Sequence, residues 1–192
     1  RDRSVSRGLG DVYKRQGQRN RAILETLYSC GLRVSELVNL KLSDLYFDEG
    51  FIKVEGKGSK QRLVPISPRA INEIKLYFTD RNRIEVKKEY EDFVFVSQRR
   101  GKGLSRIMIF HMIKELAQTA GIIKNISPHT FRHSFATHLL EGGANLRAIQ
   151  CMLGHESIAT TEIYTHIDRN MLRSEIIEHH PRNIKYRKEK ER

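Results

Sequence analysis

Six residues spread along the chain could together carry out chemistry. Arg33 lies in Gly31-Leu32-Arg33-Val34-Ser35-Glu36-Leu37, and Lys57 lies in Gly56-Lys57-Gly58-Ser59-Lys60. His129 and Arg132 stand three apart in Ser127-Pro128-His129-Thr130-Phe131-Arg132, His155 follows Leu153-Gly154, and Tyr164 lies nine residues beyond His155. The set holds several cations and one potential nucleophile, with no carboxylate pair, thiol or metal cluster. A tyrosine attack on a phosphodiester fits it. A phenol has a pKa of about 10 and is a poor nucleophile at neutral pH, and the pentavalent transition state gathers charge on its non-bridging oxygens. Arginine meets that charge with a planar fork of donors that stays protonated. Arg33 and Arg132 are the natural clamp, each such donor being worth about 10²–10³ in rate.

The elements that must position these groups follow from period and punctuation. Ala22, Ile23, Leu27 and Tyr28 predict a helix from about Gln18 to Ser29, stopped at Gly31. Ser35 is the expected N-cap of a second short helix carrying Leu37, Val38 and Leu40. The period then changes. Leu45–Phe47, Phe51–Glu55 and Arg62–Ile66 read as a three-stranded antiparallel meander, with Lys57 at the tip of a glycine-flanked hairpin. There a long cation could reach into a DNA groove and protonate a departing sugar oxygen, a role worth about 10²–10⁴.

Ser67-Pro68 opens a helix through about Phe78, residues 80–92 read as a surface connection, and 98–103 as a basic loop. Further helices are expected over 105–120, from Ser127-Pro128 to Gly142-Gly143, and over about 145–153, 157–165 and 168–179. On the Ser127 helix His129 and Arg132 share one side. Phe131, Phe135 and Leu139 form an i, i+4, i+8 row on another, which packs the helix. The fold class is therefore α+β and mostly α-helical, with one small sheet.

Composition sets the outer bounds. The 192 residues are 39% hydrophobic and 30% charged, an ordinary globular balance, and no apolar run approaches the roughly 18 residues of a bilayer span. Cys30 and Cys151 sit inside predicted helices and read as reduced thiols of a cytoplasmic protein. The formal charge of +12 points toward nucleic acid, but residues 1–21 carry +5 and residues 182–192 carry +4, leaving only +3 between them. Bulk charge alone would suit solvated tails equally well. Residues 1–16 show neither period and read as an unstructured or non-native leader, and 182–192 as a basic tail.

Taken singly, each of the six has a plain structural reading. Lys57 suits an exposed hairpin turn, Arg33 a helix terminus, and a lone tyrosine or histidine an ordinary surface. Independent accidents would rarely supply all six in this order. A zinc reading of His129 and His133 fails, because the pair lacks the adjacent glutamate of a metalloprotease helix and a third ligand.

The stretches Tyr28–Leu37, Gly56–Pro65, Ser127–His138, Leu153–His155 and Ile163–His166 resemble the catalytic domain of the tyrosine recombinases, the phage-integrase family. The resemblance spans residues 17–181 and, within the family, is nearest the Xer-type enzymes and their XerD-like branch. His179-His180-Pro181-Arg182 resembles the end of that branch. The resemblance implies that Tyr164 attacks the scissile phosphate to form a 3′-phosphotyrosyl link. It makes Arg33 and Arg132 the holders of the non-bridging oxygens, Lys57 the general acid, and His129 and His155 the groups that orient phosphate and manage protons. Glu36 would steady Arg33 from behind. Neither ATP nor a metal or other cofactor is implied.

The implied partners are double-stranded DNA and three further protomers, forming a homo- or heterotetramer on two DNA sites that docks through the C-terminal helix. Lys60, Arg62, Arg69, Arg99, Arg100, Lys102 and Arg106 are the expected phosphate contacts. Family members carry an N-terminal helical domain that clamps DNA, with no counterpart in these 192 residues, so weak and strongly salt-dependent binding is expected. Chromosome-dimer resolution and mobile-element integration are the implied roles. Nick-and-religate chemistry of the topoisomerase IB type and a non-catalytic DNA-binding module are the alternatives.

Overall fold

In the computed structural model, which describes residues 3–154 and 169–190 and the side chains of 17–56, 58–154 and 169–189, the first helix is longer than its apolar pattern. It runs over α1 (Arg3–Cys30), although only the part from Arg19 onward is described as packed. No proline interrupts 3–18, so the helix anchored by Ala22, Ile23 and Leu27 propagates backward, each added residue bringing one hydrogen bond. The 1–16 segment, expected as an unstructured or non-native leader, is helical from Arg3.

Gly31, at φ 59°, turns the chain out of α1 into α2 (Val34–Val38). The N-cap of α2 is Arg33 rather than Ser35, because the Glu36 carboxylate at the third helical position accepts the Arg33 backbone N–H at 2.8 Å. The meander is present as β1 (Leu45–Tyr46), β2 (Phe51–Glu55) and β3 (Gln61–Pro65) in the order β1-β2-β3, all antiparallel. Ile52 pairs with Val64 and Val54 with Arg62, and these residues share one buried face. Phe51 lies on the other face, so the sheet separates two apolar clusters.

The first cluster gathers α1, α2, the sheet, α3 (Pro68–Arg81) and α4 (Arg106–Thr119) around Ile23, Leu27, Leu37, Ile74, Tyr77, Phe95 and Ile109. Ser67 and Ser105 cap α3 and α4 by accepting N–H bonds from Ala70 and Met108. α3 continues past Phe78 because Arg81, nearly buried, donates to the carbonyls of Glu91 and Phe93 and ties down the 80–92 connection.

The second cluster joins Phe51 to α5 (Pro128–Glu141), α6 (Leu146–Leu153) and α7 (Arg169–His179) through Phe135, Leu139, Met152, Leu172 and Ile176. Phe135 and Leu139 are fully buried and Phe131 packs against the first cluster, as the i, i+4, i+8 row required. The helix expected over 157–165 lies outside the described residues.

Residues 181–190 form a further helix, α8 (Pro181–Lys190), where a basic tail was expected. Arg182 donates to the buried Glu25 carboxylate at 2.6 Å, Arg69 lies 3.3 Å from that carboxylate, and Asn183 donates to the Ile176 carbonyl. The buried charge of Glu25 needs partners, and α8 supplies one of them. His180, fully buried between Tyr28 and Phe135, is pushed down to about 4 by burial and is neutral at pH 7. No described helix is long and apolar enough to cross a membrane.

Gly31 is the tightest joint between the clusters, since a Cβ there would run into the Phe135 ring. The left-handed backbone costs about 1–2 kcal/mol for alanine and overpacking about 1–3 kcal/mol more. Gly31→Ala should therefore lose at least about 2 kcal/mol in urea unfolding, with part recovered by a second Phe135→Leu change.

Candidate active site

Arg33 and Arg132 come from different helices and meet at the end of a third. Arg33 leaves the N-terminus of α2 with its side chain 43% exposed, Nη1 donating to Glu36 Oε1 at 3.0 Å and Nη2 to the Gly154 carbonyl at 3.5 Å. Arg132, in α5, donates through Nη1 to the Gly31 carbonyl at 2.8 Å and through Nη2 to the Leu153 carbonyl at 2.6 Å. Arg62, from β3, donates through Nε to the Met152 carbonyl at 2.9 Å. Three successive carbonyls at the C-terminus of α6 are thus each taken by a guanidinium. Such carbonyls lack partners within the helix and carry its negative dipole end, so cations suit them. Gly154, at φ 65°, supplies the left-handed turn that presents them.

Glu36 is the counter-charge. It is 2% exposed and receives four donors: the Arg33 N–H, Arg33 Nη1, and a bidentate pair from Arg62 at 2.7 and 3.0 Å. Burial by itself would push its carboxyl up. The hydrogen bonds and charge of Arg62, with the hydrogen bonds of Arg33, outweigh burial and hold it below the usual range. Burial, followed by the charge of Arg33, brings Arg132 down to about 10, still cationic at neutral pH.

Arg33, His129 and Arg132 line one cleft of about 690 Å³, together with His133 and an apolar wall that includes Leu140, Leu146 and Ile149. His129 is exposed in the first turn of α5, one turn before Arg132, as their spacing required. The structure therefore brings three of the six candidate residues together. The backbone of Lys57 sits in a 3-10 turn, Lys57–Ser59, at the tip between β2 and β3, and its side chain is outside the described set. His155 and Tyr164 lie outside the described residues.

The expected phosphate contacts divide. Lys60, Arg99, Arg100, Lys102 and Arg106 are exposed on the hairpin, on the 98–103 loop and at the start of α4. Arg62 is not a surface cation: it is 7% exposed and committed to Glu36 and Met152. Arg69 is also drawn inward, between Glu25 and Glu189. Both are held by buried or neighbouring carboxylates that residue type alone did not reveal. For Arg62 a signal existed: it alternates with Val64 and Ile66, both buried, on the inner face of the strand.

Because the native pKa of Glu36 is depressed, its stabilisation is full above the unfolded value of about 4.3 and is lost as pH falls through the lower native value. Glu36→Gln, which breaks a buried pair, should cost about 3–5 kcal/mol at pH 7. At pH 2.5 the loss should be much smaller. Urea unfolding at the two pH values checks this, and an equal loss at both would contradict it.

The wider comparisons agree with the geometry. Residues 7–171 match the model described as the phage integrase family. Tyrosine recombinase XerD of Chlorobaculum tepidum is 51% identical over 164 residues, covering 85% of this chain and 54% of that protein. XerD of Staphylococcus saprophyticus is 47% identical over 172 residues, covering 90% and 58%. The chain thus spans little more than half the length of these relatives. Among solved structures, XerA recombinase aligns with a TM-score of 0.67 at 40% identity, over 85% of this chain and 57% of that one. XerH site-specific recombinase bound to difH substrate aligns with a TM-score of 0.63 at 32% identity, over 78% and 43%. With the family match running from α1 into α7 and the paired arginines seated in its cleft, this chain belongs to the phage integrase family, among the tyrosine recombinases.

Proposed function

We propose that this chain is the catalytic domain of a Xer-type recombinase that breaks and rejoins double-stranded DNA. The observation that carries the reading is the convergence of Arg33 and Arg132, from α2 and α5, on one cleft beside His129. In this scheme both guanidinium groups bind the non-bridging oxygens of the scissile phosphate. The Tyr164 Oη bonds to phosphorus as the bond to the 5′-oxygen breaks. The 5′-oxygen leaves with a proton from Lys57, and His129 and His155 take up the phenolic proton and orient the phosphate. Religation is the reverse attack by a 5′-hydroxyl, and the phosphotyrosyl ester conserves the energy of the broken bond.

The substrate class has support from XerH, whose structure holds its difH substrate. Exposed Lys60, Arg99, Arg100, Lys102 and Arg106 extend the basic surface on which a duplex would lie. Four protomers on two sites would complete strand exchange. In the single chain Leu172 and Ile176 of α7 are buried in the domain's own core, so docking α7 on a neighbour would uncover them.

A nicked duplex carrying a Xer-type resolution site, incubated at low salt, tests the reading. Wild type should give a DNA-linked band on a denaturing gel, and Tyr164→Phe should give none. Raising salt should weaken the band steeply. No adduct even after fusion to a clamp domain from a related recombinase would overturn the reading, and relaxation of supercoiled plasmid by monomers would shift it to the topoisomerase type.

A further inference from the structure

We propose that Arg62 is a positioning residue for strand cleavage, holding Glu36 and the end of α6 in the one arrangement that aims Arg33 and Arg132 at the same phosphate. The inference rests on the strand-cleavage reading above. Arg62 does not line the cleft. Three of its five donors are spent behind it: Nη1 and Nη2 on the two oxygens of Glu36, and Nε on the Met152 carbonyl.

Each of those bonds leads to a clamp arginine by one step. Glu36 Oε1 takes Arg62 Nη1 and Arg33 Nη1 together, and Oε2 takes Arg62 Nη2 and the Arg33 backbone N–H. The Met152 carbonyl precedes Leu153, whose carbonyl fixes Arg132, and Gly154, whose carbonyl receives Arg33. Gly154 packs so closely that a Cβ there would lie 3.1 Å from Arg62 Cδ. The planar fork makes all three contacts at once, which a lysine cannot do.

Arg62 also sits on β3, whose hairpin with β2 carries Lys57 at its tip, so the same side chain ties the hairpin to both helices. The charged groups facing Glu36 are Arg33 from its own helix, Arg62 from the sheet and Arg132 from α5. With Arg62 gone, burial acts on a carboxylate that has lost two of its four donors. Glu36 then takes a proton more readily and releases Arg33.

The test compares wild type, Arg62→Met and Arg62→Lys in two readouts. One is the first-order rate of adduct formation on saturating nicked duplex, measured against pH, with duplex affinity measured alongside. The other is the carboxyl ¹³C titration of Glu36 in the DNA-free protein, which needs no catalysis. Arg62→Met should slow the saturated step about 100-fold, the typical cost of misplacing a reacting group by about 1 Å. Its duplex affinity should stay within about threefold of wild type. A new acid limb should appear in the rate, tracking an upward-shifted Glu36 titration, and Arg62→Lys should fall between the two. Weakened duplex binding with an unchanged saturated rate would make Arg62 a phosphate contact and overturn the proposal. So would an unmoved Glu36 titration in whichever variant folds. If wild type forms no adduct even when fused to a clamp domain, the strand-cleavage reading fails, and the Glu36 titration still decides whether Arg62 governs the carboxylate.

Discussion

One buried carboxylate against a cluster of guanidinium groups is the interaction on which the rest of this structure depends. Two unit charges about 5 Å apart repel by about 3 kcal/mol at an effective dielectric of about 20. Arg33, Arg62 and Arg132 would scatter on that ground alone. Glu36 offsets part of the repulsion with four accepted hydrogen bonds, and the C-terminal carbonyls of α6 offset more. The cluster is therefore held in place by the protein's own groups, and in the proposed reaction a phosphate entering the cleft would meet arginines whose positions are already fixed. Preorganisation of this kind is where electrostatic catalysis gains most.

The architecture serves that cluster. The β2–β3 register places Arg62 on the inner face of the sheet opposite Val54, within reach of α2 on one side and α6 on the other. Gly31 and Gly154 end their helices in left-handed turns, and their carbonyls accept from Arg132 and Arg33 respectively. Phe135, against Gly31, presses α5 onto the end of α1 and so fixes the height of Arg132. The arginines are precise because packing on both faces of a small sheet leaves their helices few alternatives.

Much of this was legible in the sequence, for local reasons. Ser67-Pro68, Ser105, Ser127-Pro128 and Gly142-Gly143 bounded their helices because caps and breakers act within a few residues. The pairing of His129 with Arg132 followed from helical spacing. What escaped was set by contacts across the fold. Ser35 had the right chemistry for a cap, but Glu36 reached back to Arg33 and moved the boundary. Arg62 and Arg69 looked like surface cations until Glu36, Met152 and Glu25 were found beside them. The last helix read as a solvated tail because its anchor, Glu25, lies at the other end of the chain.

The most direct test of the central claim is an ¹⁵N-resolved spectrum of the arginine Nε–H groups in the protein without DNA. A preassembled cluster predicts resolved, slowly exchanging signals for Arg62 and Arg132, which shift but persist when a duplex is added. Averaged, fast-exchanging signals that sharpen only with DNA would contradict it, and would mean that the substrate, rather than Glu36 and the end of α6, builds the site.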